Sequence, residues 1–456
     1  MMLIRMENGM ERDITQKLFQ WKNSKRRKPL LLTGVRQCGK TFIIKQFGKS
    51  QYENLVYLNF EENENLKGIF EYDFDVKRIL KEIQTYSGRK IYPETTLLVL
   101  DEIQECPRAI TSLKYFCENM PDLHVICAGS LLGIAIRKEN FSFPVGKVNR
   151  MQMYPLSFKE FANAAGYGQI IETLSDWPLT REIPQLYTVP MEKLLKEYYA
   201  VGGMPEAVKE WIDTNDMNEV ETVLDEILQG YADDFSKHAP LKDVEKIRWI
   251  WDSIPKQLAK DNNKFIFSHV KEGKRSAELE DALQWLADAG LVSKLEMVEN
   301  AEIPLSAYAD ASWFKLYMSD IGLLRRKSGL SWQTIMTGND LFIKFKGAIA
   351  ENYVMNELIN LGYNPYYWRS GNSAEIDFLI ELENQIVPIE VKAANNVQAK
   401  SYRLFCKRYN PKTGIKTSLK NIAENLCEET QTINLPLYML WEIDPMLSKA
   451  AKSQGG

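Results

Sequence analysis

Histidine is rare in this sequence of 456 residues, and paired cysteines are missing from it. The three histidines are isolated, and none of the six cysteines has the Cys-x-x-Cys spacing of a metal or redox motif. These absences argue against a zinc site and against a disulfide framework. We therefore expect reduced thiols at Cys38, Cys106, Cys117, Cys127, Cys406 and Cys427.

Long hydrophobic runs are also absent. No segment approaches the roughly eighteen consecutive apolar residues that a membrane-spanning helix needs, and the initial segment MMLIRMENGMERD is too charged for the core of a signal peptide. We expect a cytoplasmic protein that does not contact a membrane.

A net charge of −4 argues against a protein that coats nucleic acid by bulk charge, so contact with DNA or RNA would have to be local.

The composition is that of an ordinary globular protein, with 45% apolar and 26% charged residues. A chain of this length exceeds what one hydrophobic core supports, so several domains are expected. The pattern predicts an α/β domain over residues 1–165, a mostly helical region over residues 166–336 and a second α/β domain over residues 337–456.

The first domain contains four short apolar runs. They are PLLLTG at residues 29–34, NLVYLNF at 54–60, TLLVLDE at 96–102 and LHVICAGS at 123–130. Continuous apolar strands are typical of a parallel sheet that helices cover on both faces. The last part of this domain predicts a helix start, with Ser157 as the N-cap of a capping box completed by Glu160.

A phosphate-loop motif, G-x-x-x-x-G-K-[ST], follows the first apolar run. Its glycines allow backbone N–H groups to surround a β-phosphate, Lys40 would reach the β- and γ-phosphate oxygens, and Thr41 would bind Mg²⁺. The motif therefore predicts an ATP and Mg²⁺ site. Its expected nucleotide contacts are Gly34, Val35, Arg36, Gln37, Cys38, Gly39, Lys40, Thr41 and Phe42.

Acidic and hydroxyl side chains follow the later strands of the same domain. Asp101 would hold the metal, and Glu102 would polarise the attacking water as a general base. Ser130 ends the next strand, where its hydroxyl either contacts the γ-phosphate or caps a helix. The sequence does not choose a transition-state cation among Arg137, Arg150 and Lys147.

The middle region contains a succession of helix, turn, helix and short hairpin over residues 244–298, which is similar to a winged helix. Its second helix, however, exposes acidic side chains that would repel a phosphate backbone. We therefore expect this region to pack or to contact a partner rather than to read DNA. The acidic residues are Glu278, Glu280, Asp281 and Asp288.

A second constellation lies near the end of the chain. If its two strands pair as a hairpin, Asp377 and Glu390 would bind one Mg²⁺, Lys392 would activate a water against a phosphodiester, and Glu351 would add a metal contact. The alternative is an amphipathic hairpin with solvated charges. Beyond it, basic and aromatic residues either line a nucleic-acid groove or form the wet face of a helix; they are Lys400, Tyr402, Arg403, Phe405, Lys407, Arg408 and Tyr409.

Over nearly its whole length the chain resembles uncharacterised prokaryotic AAA-type ATPases whose C-terminal half is a domain of unknown function ending in a PD-(D/E)xK nuclease-like fold. The resemblance is carried by GVRQCGKT, DEIQECP, AGSLLG, FPVGKV, YPLSFKEF, GGMPEAV and IVPIEVKAA. It implies a P-loop NTPase sheet, a restriction-endonuclease-like C-terminal α/β domain, and ATP hydrolysis with Ser130 as the first sensor. Many relatives have Gly-Arg where this chain has Gly146-Lys147, which weakens Lys147 as the transition-state cation.

Three functions are compatible with these patterns. The leading hypothesis is an ATPase whose nucleotide cycle changes the conformation of the C-terminal half, acting on nucleic acid or on a protein. The first alternative is an ATP-gated, Mg²⁺-dependent nuclease, and the second is a nucleotide-dependent interaction or signalling switch with little turnover. Because AAA-type sites usually lie at subunit boundaries, a homo-oligomer is expected as well.

Overall fold

The computed structural model describes residues 10–136, 142–175, 177–260, 264–338, 343–371, 374–392 and 400–453. They form two compact units. The first extends to Pro155 and includes Trp285–Leu291, and the second comprises Leu156–Gln284 and the chain from Val292 onward. The helical region and the C-terminal α/β region expected from the sequence both lie in the second unit. Among the residues described, no helix combines the length and apolar character needed to span a membrane.

The first unit contains a five-stranded parallel sheet in the order β2-β3-β4-β1-β5. Its strands are β1 (Leu30–Gly34), β2 (Asn54–Asn59), β3 (Thr96–Asp101), β4 (His124–Gly129) and β5 (Asn149–Met153). The four predicted strands are confirmed, and β3 and β4 are buried along their whole length. The fifth strand was not predicted because its sequence, NRMQM, alternates partly exposed polar residues with apolar ones.

Helices cover this sheet as the apolar strands predict. They are α1 (Ile14–Lys22), α2 (Lys40–Gln51), α3 (Val76–Ser87), α4 (Pro107–Asn119) and α5 (Leu132–Ile136). A continuous core joins β2, β3 and β4 to α3 and α4, and its centre includes Leu98, Leu100 and Phe116. The core holds the carboxyl ends of the strands in place, and these ends carry the predicted site residues.

The second unit begins with helices and continues to the end of the described chain. Ser157 and Glu160 form the predicted capping box at the first of these helices, since Ser157 Oγ accepts from Glu160 N and Glu160 Oε2 accepts from Ser157 N. The helices are α6 (Phe158–Ala164), α7 (Gly168–Ser175), α8 (Gln185–Val201), α9 (Pro205–Thr214), α10 (Met217–His238), α11 (Val244–Leu258), α12 (Ser276–Asp288), α13 (Ile321–Lys327), α14 (Trp332–Thr337), α15 (Ile343–Asn360), α16 (Lys400–Tyr409) and α17 (Ile443–Ser453). The last four residues of α12 belong to the first unit.

An eight-stranded mixed sheet forms the core of this unit, in the order β12-β13-β11-β10-β9-β8-β6-β7. The pairs β6–β8, β10–β11 and β11–β13 are parallel, and the others are antiparallel. The strands are β6 (Val292–Val298), β7 (Ala309–Met318), β8 (Tyr366–Ser370), β9 (Ala374–Leu382), β10 (Gln385–Val391), β11 (Thr413–Ser418), β12 (Ala423–Cys427) and β13 (Thr430–Pro436).

The winged-helix expectation needs correction. The order of α11, a short 3₁₀ turn, α12 and the β6–β7 hairpin is as predicted. The hairpin is not a free wing, however, because β6 pairs in parallel with β8 and so makes β6 and β7 one end of the eight-stranded sheet. Leu295 and Met297 of β6 are buried. The predicted boundary near residue 336 therefore falls between strands of a single sheet.

A glycine turn after α8 ties distant parts of the second unit together. Gly203 N donates to Asp320 Oδ2 at 2.6 Å, and Gly203 O accepts from Leu156 N at 2.7 Å. A Cβ atom on Gly203 would lie 2.2 Å from the carbonyl oxygen of Leu156. Only glycine therefore fits here without a shift of the backbone.

Replacing Gly203 by alanine should destabilise the protein by about 2 kcal/mol, because the added methyl group forces the Leu156 backbone away. Chemical denaturation of the two proteins would measure the difference. Gly230→Ala is the matched control, since a Cβ atom there meets nothing within 4 Å on α10 and should be neutral or slightly stabilising. Equal stabilities for the two variants would contradict this account of the turn.

Candidate functional site

The phosphate-loop motif lies between β1 and α2 in the first unit. Gly34, Gln37 and Gly39 have positive φ angles of 153°, 66° and 96°. A Cβ atom on Gly34 would lie 2.2 Å from the carbonyl oxygen of Met153. The glycines are thus required both by backbone conformation and by close packing of the loop against the end of β5.

Lys40 is buried in the loop, and its ammonium group has three acceptors. Nζ donates to the carbonyl oxygens of Gly34 and Val35 at 2.9 and 3.0 Å, and to Ser130 Oγ at 2.8 Å. All three acceptors are uncharged, so the positive charge of Lys40 is not cancelled by a carboxylate among these partners. Its position beside Ser130 brings together two residues that the sequence predicted to contact phosphate.

Asp101 connects the loop to the end of β3. Its Oδ2 accepts from Thr41 Oγ1 at 2.7 Å and from Tyr57 OH at 2.8 Å, while its Oδ1 accepts from Glu102 N at 3.0 Å. Burial and the neighbouring carboxylate of Asp101 raise the pKa of Tyr57, so this phenol remains a hydrogen-bond donor. Tyr57 was missed in the sequence, where nothing but its position on β2 marks it.

Glu102 lies beside Asp101 in a left-handed backbone conformation, with φ 47°. Such conformations are costly for a residue with a side chain and cluster at functional sites. Gln104 Nε2 donates to Glu102 Oε2 at 2.6 Å. Burial raises the pKa of Glu102, and the Gln104 hydrogen bond opposes that rise. Gln104 therefore orients the expected general base, a role that no sequence pattern indicated.

The candidate transition-state cations have other contacts. Lys147 Nζ lies 2.8 Å from Glu118 Oε1, and the Arg150 guanidinium lies 4.5 Å from the centre of the Phe143 ring. Arg137 lies outside the described residues. Among the residues that the structure describes, neither Lys147 nor Arg150 forms a hydrogen bond with the loop.

The remaining loop residues differ in exposure. The ring of Phe42 is largely exposed, Gln37 is exposed, Arg36 is half-buried, and Cys38 is buried with Sγ 3.8 Å from the carbonyl oxygen of Met153. The thiol of Cys38 therefore packs against the end of β5.

The residues of this site fit a magnesium–nucleotide complex. The loop backbone turns at Gly34, where a side chain would clash with the end of β5. Lys40 supplies a positive charge that its uncharged hydrogen-bond partners do not neutralise. Thr41 and Asp101 supply the hydroxyl and carboxylate oxygens that Mg²⁺ takes, directly or through water. Their 2.7 Å hydrogen bond brings both oxygens to one position.

The C-terminal constellation also comes together, in the second unit. The antiparallel register pairs Phe378 of β9 with Ile389 of β10, which places Asp377 opposite Glu390. Asp377 Oδ2 accepts from Val391 N at 2.8 Å, and Lys392 Nζ lies 2.5 Å from Glu390 Oε1. Burial first, and then the neighbouring carboxylate of Glu390, raise the pKa of Asp377 well above its usual range.

Two residues that the sequence did not single out join this constellation from β7. Lys315 Nζ lies 3.2 Å from Glu351 Oε2 and 2.7 Å from Glu375 Oε1. Tyr317 OH donates to Glu351 Oε2 at 2.8 Å. Glu351 is therefore bonded to β7 side chains. In the part of the chain that the structure describes, no three acidic, histidine or cysteine side chains form a group that could hold a metal ion.

The basic segment beyond β10 forms α16. Tyr402 and Phe405 are fully buried and pack with Trp368 in a hydrophobic core. Arg403 and Arg408 lie on the exposed face, where Arg403 Nε is 2.5 Å from Glu428 Oε1. Because the rings of Tyr402 and Phe405 are buried, they are not available to stack on bases, and the basic side chains lie on the exposed face of the helix.

Three family models match consecutive parts of the chain. Residues 26–162 match an AAA domain, residues 192–334 match a domain of unknown function (DUF8612), and residues 346–438 match a second domain of unknown function (DUF4143). The AAA match covers the parallel sheet and the phosphate loop. The first unit therefore contains an AAA-type P-loop domain, which is a nucleotide-binding fold.

One curated protein and several solved structures are similar to most of the chain. An uncharacterised protein of Haemophilus influenzae is 25% identical over 400 residues, which cover 82% of this chain and 84% of that protein. The Walker-type ATPase PABY2304 of Pyrococcus abyssi is 14% identical, with a TM-score of 0.44 over 71% of this chain and 97% of that one. The ORC2 protein of Aeropyrum pernix, in ADPNP and ADP complexes, is 13% identical, with a TM-score of 0.32 over 71% and 92%. Because these two TM-scores are low, neither structure informs on substrate or partner.

Lys40→Met should abolish most of the thermal stabilisation that ADP gives the wild-type protein, because the buried ammonium group is the loop's cation for phosphate. At a ligand concentration about 100-fold above Kd, binding stabilises a protein by about 2.7 kcal/mol. A thermal-shift titration would measure the loss. Lys49→Met, at the exposed end of the same helix, is the control and should keep the full shift. An unchanged shift in Lys40→Met would refute the assignment.

Proposed function

We propose that the protein is an ATPase that hydrolyses ATP with Mg²⁺ and uses the cycle to change the conformation of its C-terminal half. The proposal depends on two hydrogen bonds: Thr41 donates to Asp101, and Gln104 donates to Glu102, the next residue. A protein that only senses nucleotide needs the Thr41–Asp101 pair alone. A general base beside the metal-binding carboxylate is what hydrolysis requires in addition.

Each residue has a definite task in this proposal. Lys40 exchanges its carbonyl partners for phosphate oxygens, and Thr41 and Asp101 hold the metal ion, which neutralises charge on the phosphates. Glu102 accepts the proton of the attacking water. Its raised pKa makes it a stronger base than a solvated carboxylate. Ser130, already bonded to Lys40, is placed to contact the γ-phosphate.

Glu102→Gln should slow ATP turnover by roughly 10²–10³-fold while leaving nucleotide binding nearly intact, because the amide cannot accept the proton. Phosphate release measured with and without DNA and RNA would test the rate and the target together. Glu105→Gln is the control: Glu105 lies three residues along the same segment, 4.0 Å from Lys67. If Glu102→Gln turns over as fast as the wild type, hydrolysis at this site is refuted and the switch alternative takes its place.

A route from the loop to the second unit supports the coupling. Arg12 Nη1 donates to the carbonyl oxygen of Cys38 at 3.2 Å, and its Nη2 donates to that of Tyr154 at 2.6 Å. Two residues later, Leu156 belongs to the second unit, where its carbonyl oxygen accepts from Tyr198 OH at 2.6 Å. The connecting segment is therefore bonded to the phosphate loop on one side and to α8 on the other.

Arg12→Met should uncouple the nucleotide from the second unit, because it removes the bonds that join the loop to Tyr154. We expect saturating nucleotide to change amide hydrogen exchange over residues 156–204 in the wild-type protein, and by less than about half as much in the variant.

Arg26→Met is the control for this comparison, since Arg26 is exposed beyond α1. Saturation with nucleotide separates coupling from binding. An Arg12→Met protein that binds nucleotide and shows the full wild-type change in exchange would contradict the proposed route.

The nuclease alternative has one line of support. The elements α15, β8, β9, β10, α16 and β11 follow the order of a PD-(D/E)xK core, with β8–β9 and β9–β10 antiparallel and β10–β11 parallel. Cleavage by such a site needs a divalent ion at Asp377 and Glu390. The position of Lys315, in ion pairs with Glu351 and Glu375, argues against one. We therefore propose ATP hydrolysis, and not nuclease activity, as the function of the wild-type chain.

A further inference from the structure

A buried lysine lies on β7, the end strand of the eight-stranded sheet. The side chain of Lys315 is 1% exposed. Its ammonium group lies between Glu351 of α15 and Glu375 of β9, at 3.2 and 2.7 Å. Lysine is almost never buried in this way unless its charge is paired.

The backbone of Lys315 is fixed on both sides. It pairs with Leu295 of β6 and forms a bridge with Lys264 on the opposite side. The ring of Tyr367 lies 5.2 Å from Nζ. With the backbone held in this way, the side chain of Lys315 lies between the carboxylates of Glu351 and Glu375. The ammonium group is there within ion-pair distance of both carboxylates.

We propose that Lys315 is the permanent cation of the carboxylate cluster formed by Glu351, Glu375, Asp377 and Glu390, and that it excludes a divalent metal ion from that cluster. Lys315 comes from β7, whereas the nuclease-like residues lie on α15, β9 and β10. The proposal assigns the cluster a structural, metal-free state in the wild-type protein.

Two ammonium groups partner three of the four carboxylates of the cluster without a metal ion. Lys315 pairs with Glu351 and Glu375, and Lys392 pairs with Glu390 at 2.5 Å. A divalent ion placed there would add two positive charges beside a buried ammonium group that cannot move into water.

Removal of the Lys315 ammonium charge should allow a divalent ion to bind in the cluster. Glu351 and Glu375 would lose their shared cation, and Glu390 Oε2 is buried without a hydrogen-bond partner among the described residues. These carboxylate oxygens are hard ligands of the kind that Mg²⁺ and Mn²⁺ prefer. A variant without the lysine charge should therefore be unstable by itself and be stabilised by a divalent ion.

The test is thermal unfolding of the full chain in the absence of nucleotide, with and without Mn²⁺. We expect Lys315→Met to lower Tm by roughly 5–10 °C and millimolar Mn²⁺ to restore most of that loss. Wild-type protein and Lys294→Met, which alters a partly exposed ion pair with Glu296 on the neighbouring strand β6, should show no such rescue. Adding Asp377→Asn to Lys315→Met should remove it. A Lys315→Met protein that Mn²⁺ does not stabilise would overturn the proposal.

A second measurement does not depend on the folding of Lys315→Met. Electron paramagnetic resonance would count the Mn²⁺ ions bound by nucleotide-free wild-type and Asp377→Asn proteins. We expect equal numbers. A Mn²⁺ ion bound by the wild type and lost in Asp377→Asn would show that the cluster holds metal despite Lys315, which refutes the proposal. Because both measurements omit nucleotide, neither result bears on ATP hydrolysis by the first unit.

Discussion

The close approach of the phosphate loop to the end of β5 is the constraint on which the first unit depends. The carbonyl oxygen of Met153 occupies the space that a side chain on Gly34 would need. Two residues of the same segment are thereby fixed to the loop, since Tyr154 is also bonded through Arg12 to Cys38. The end of β5 and the phosphate loop are therefore held together within the first unit. The proposed conformational cycle starts from this connection.

The two units bury lysines in contrasting ways. Lys40 is held by carbonyl and hydroxyl oxygens, which satisfy its hydrogen bonds without cancelling its charge. Lys315 forms ion pairs with carboxylates, which neutralise its charge. A buried cation with neutral partners remains able to attract phosphate, whereas a cation paired with carboxylates stabilises the fold and repels other cations. The same residue type thus opens one site to a ligand and closes the other to a metal ion.

Much of the fold could be predicted because the relevant information is local. Strands β1 to β4 are uninterrupted apolar runs, and the Ser157–Glu160 capping box is a pattern of four residues. The β6–β7 hairpin was correctly placed in the chain, yet its role as part of a large sheet was not foreseen, because pairing with β8 joins segments about seventy residues apart. The aromatic residues of α16 were similarly ambiguous, since a helical spacing of Tyr402 and Phe405 does not state which face is covered.

The sequence by itself determined the AAA-type phosphate loop, the acidic pair at Asp101 and Glu102 and the facing positions of Asp377 and Glu390, because each follows from fixed spacing along a loop or a hairpin. Tertiary structure alone decided their surroundings. Tyr57 and Arg12 reach the nucleotide site from other elements, and Lys315 enters the carboxylate cluster from a strand that precedes it by 36 residues or more. Such contacts depend on strand order and register, which set distances in space that no local pattern of residues encodes.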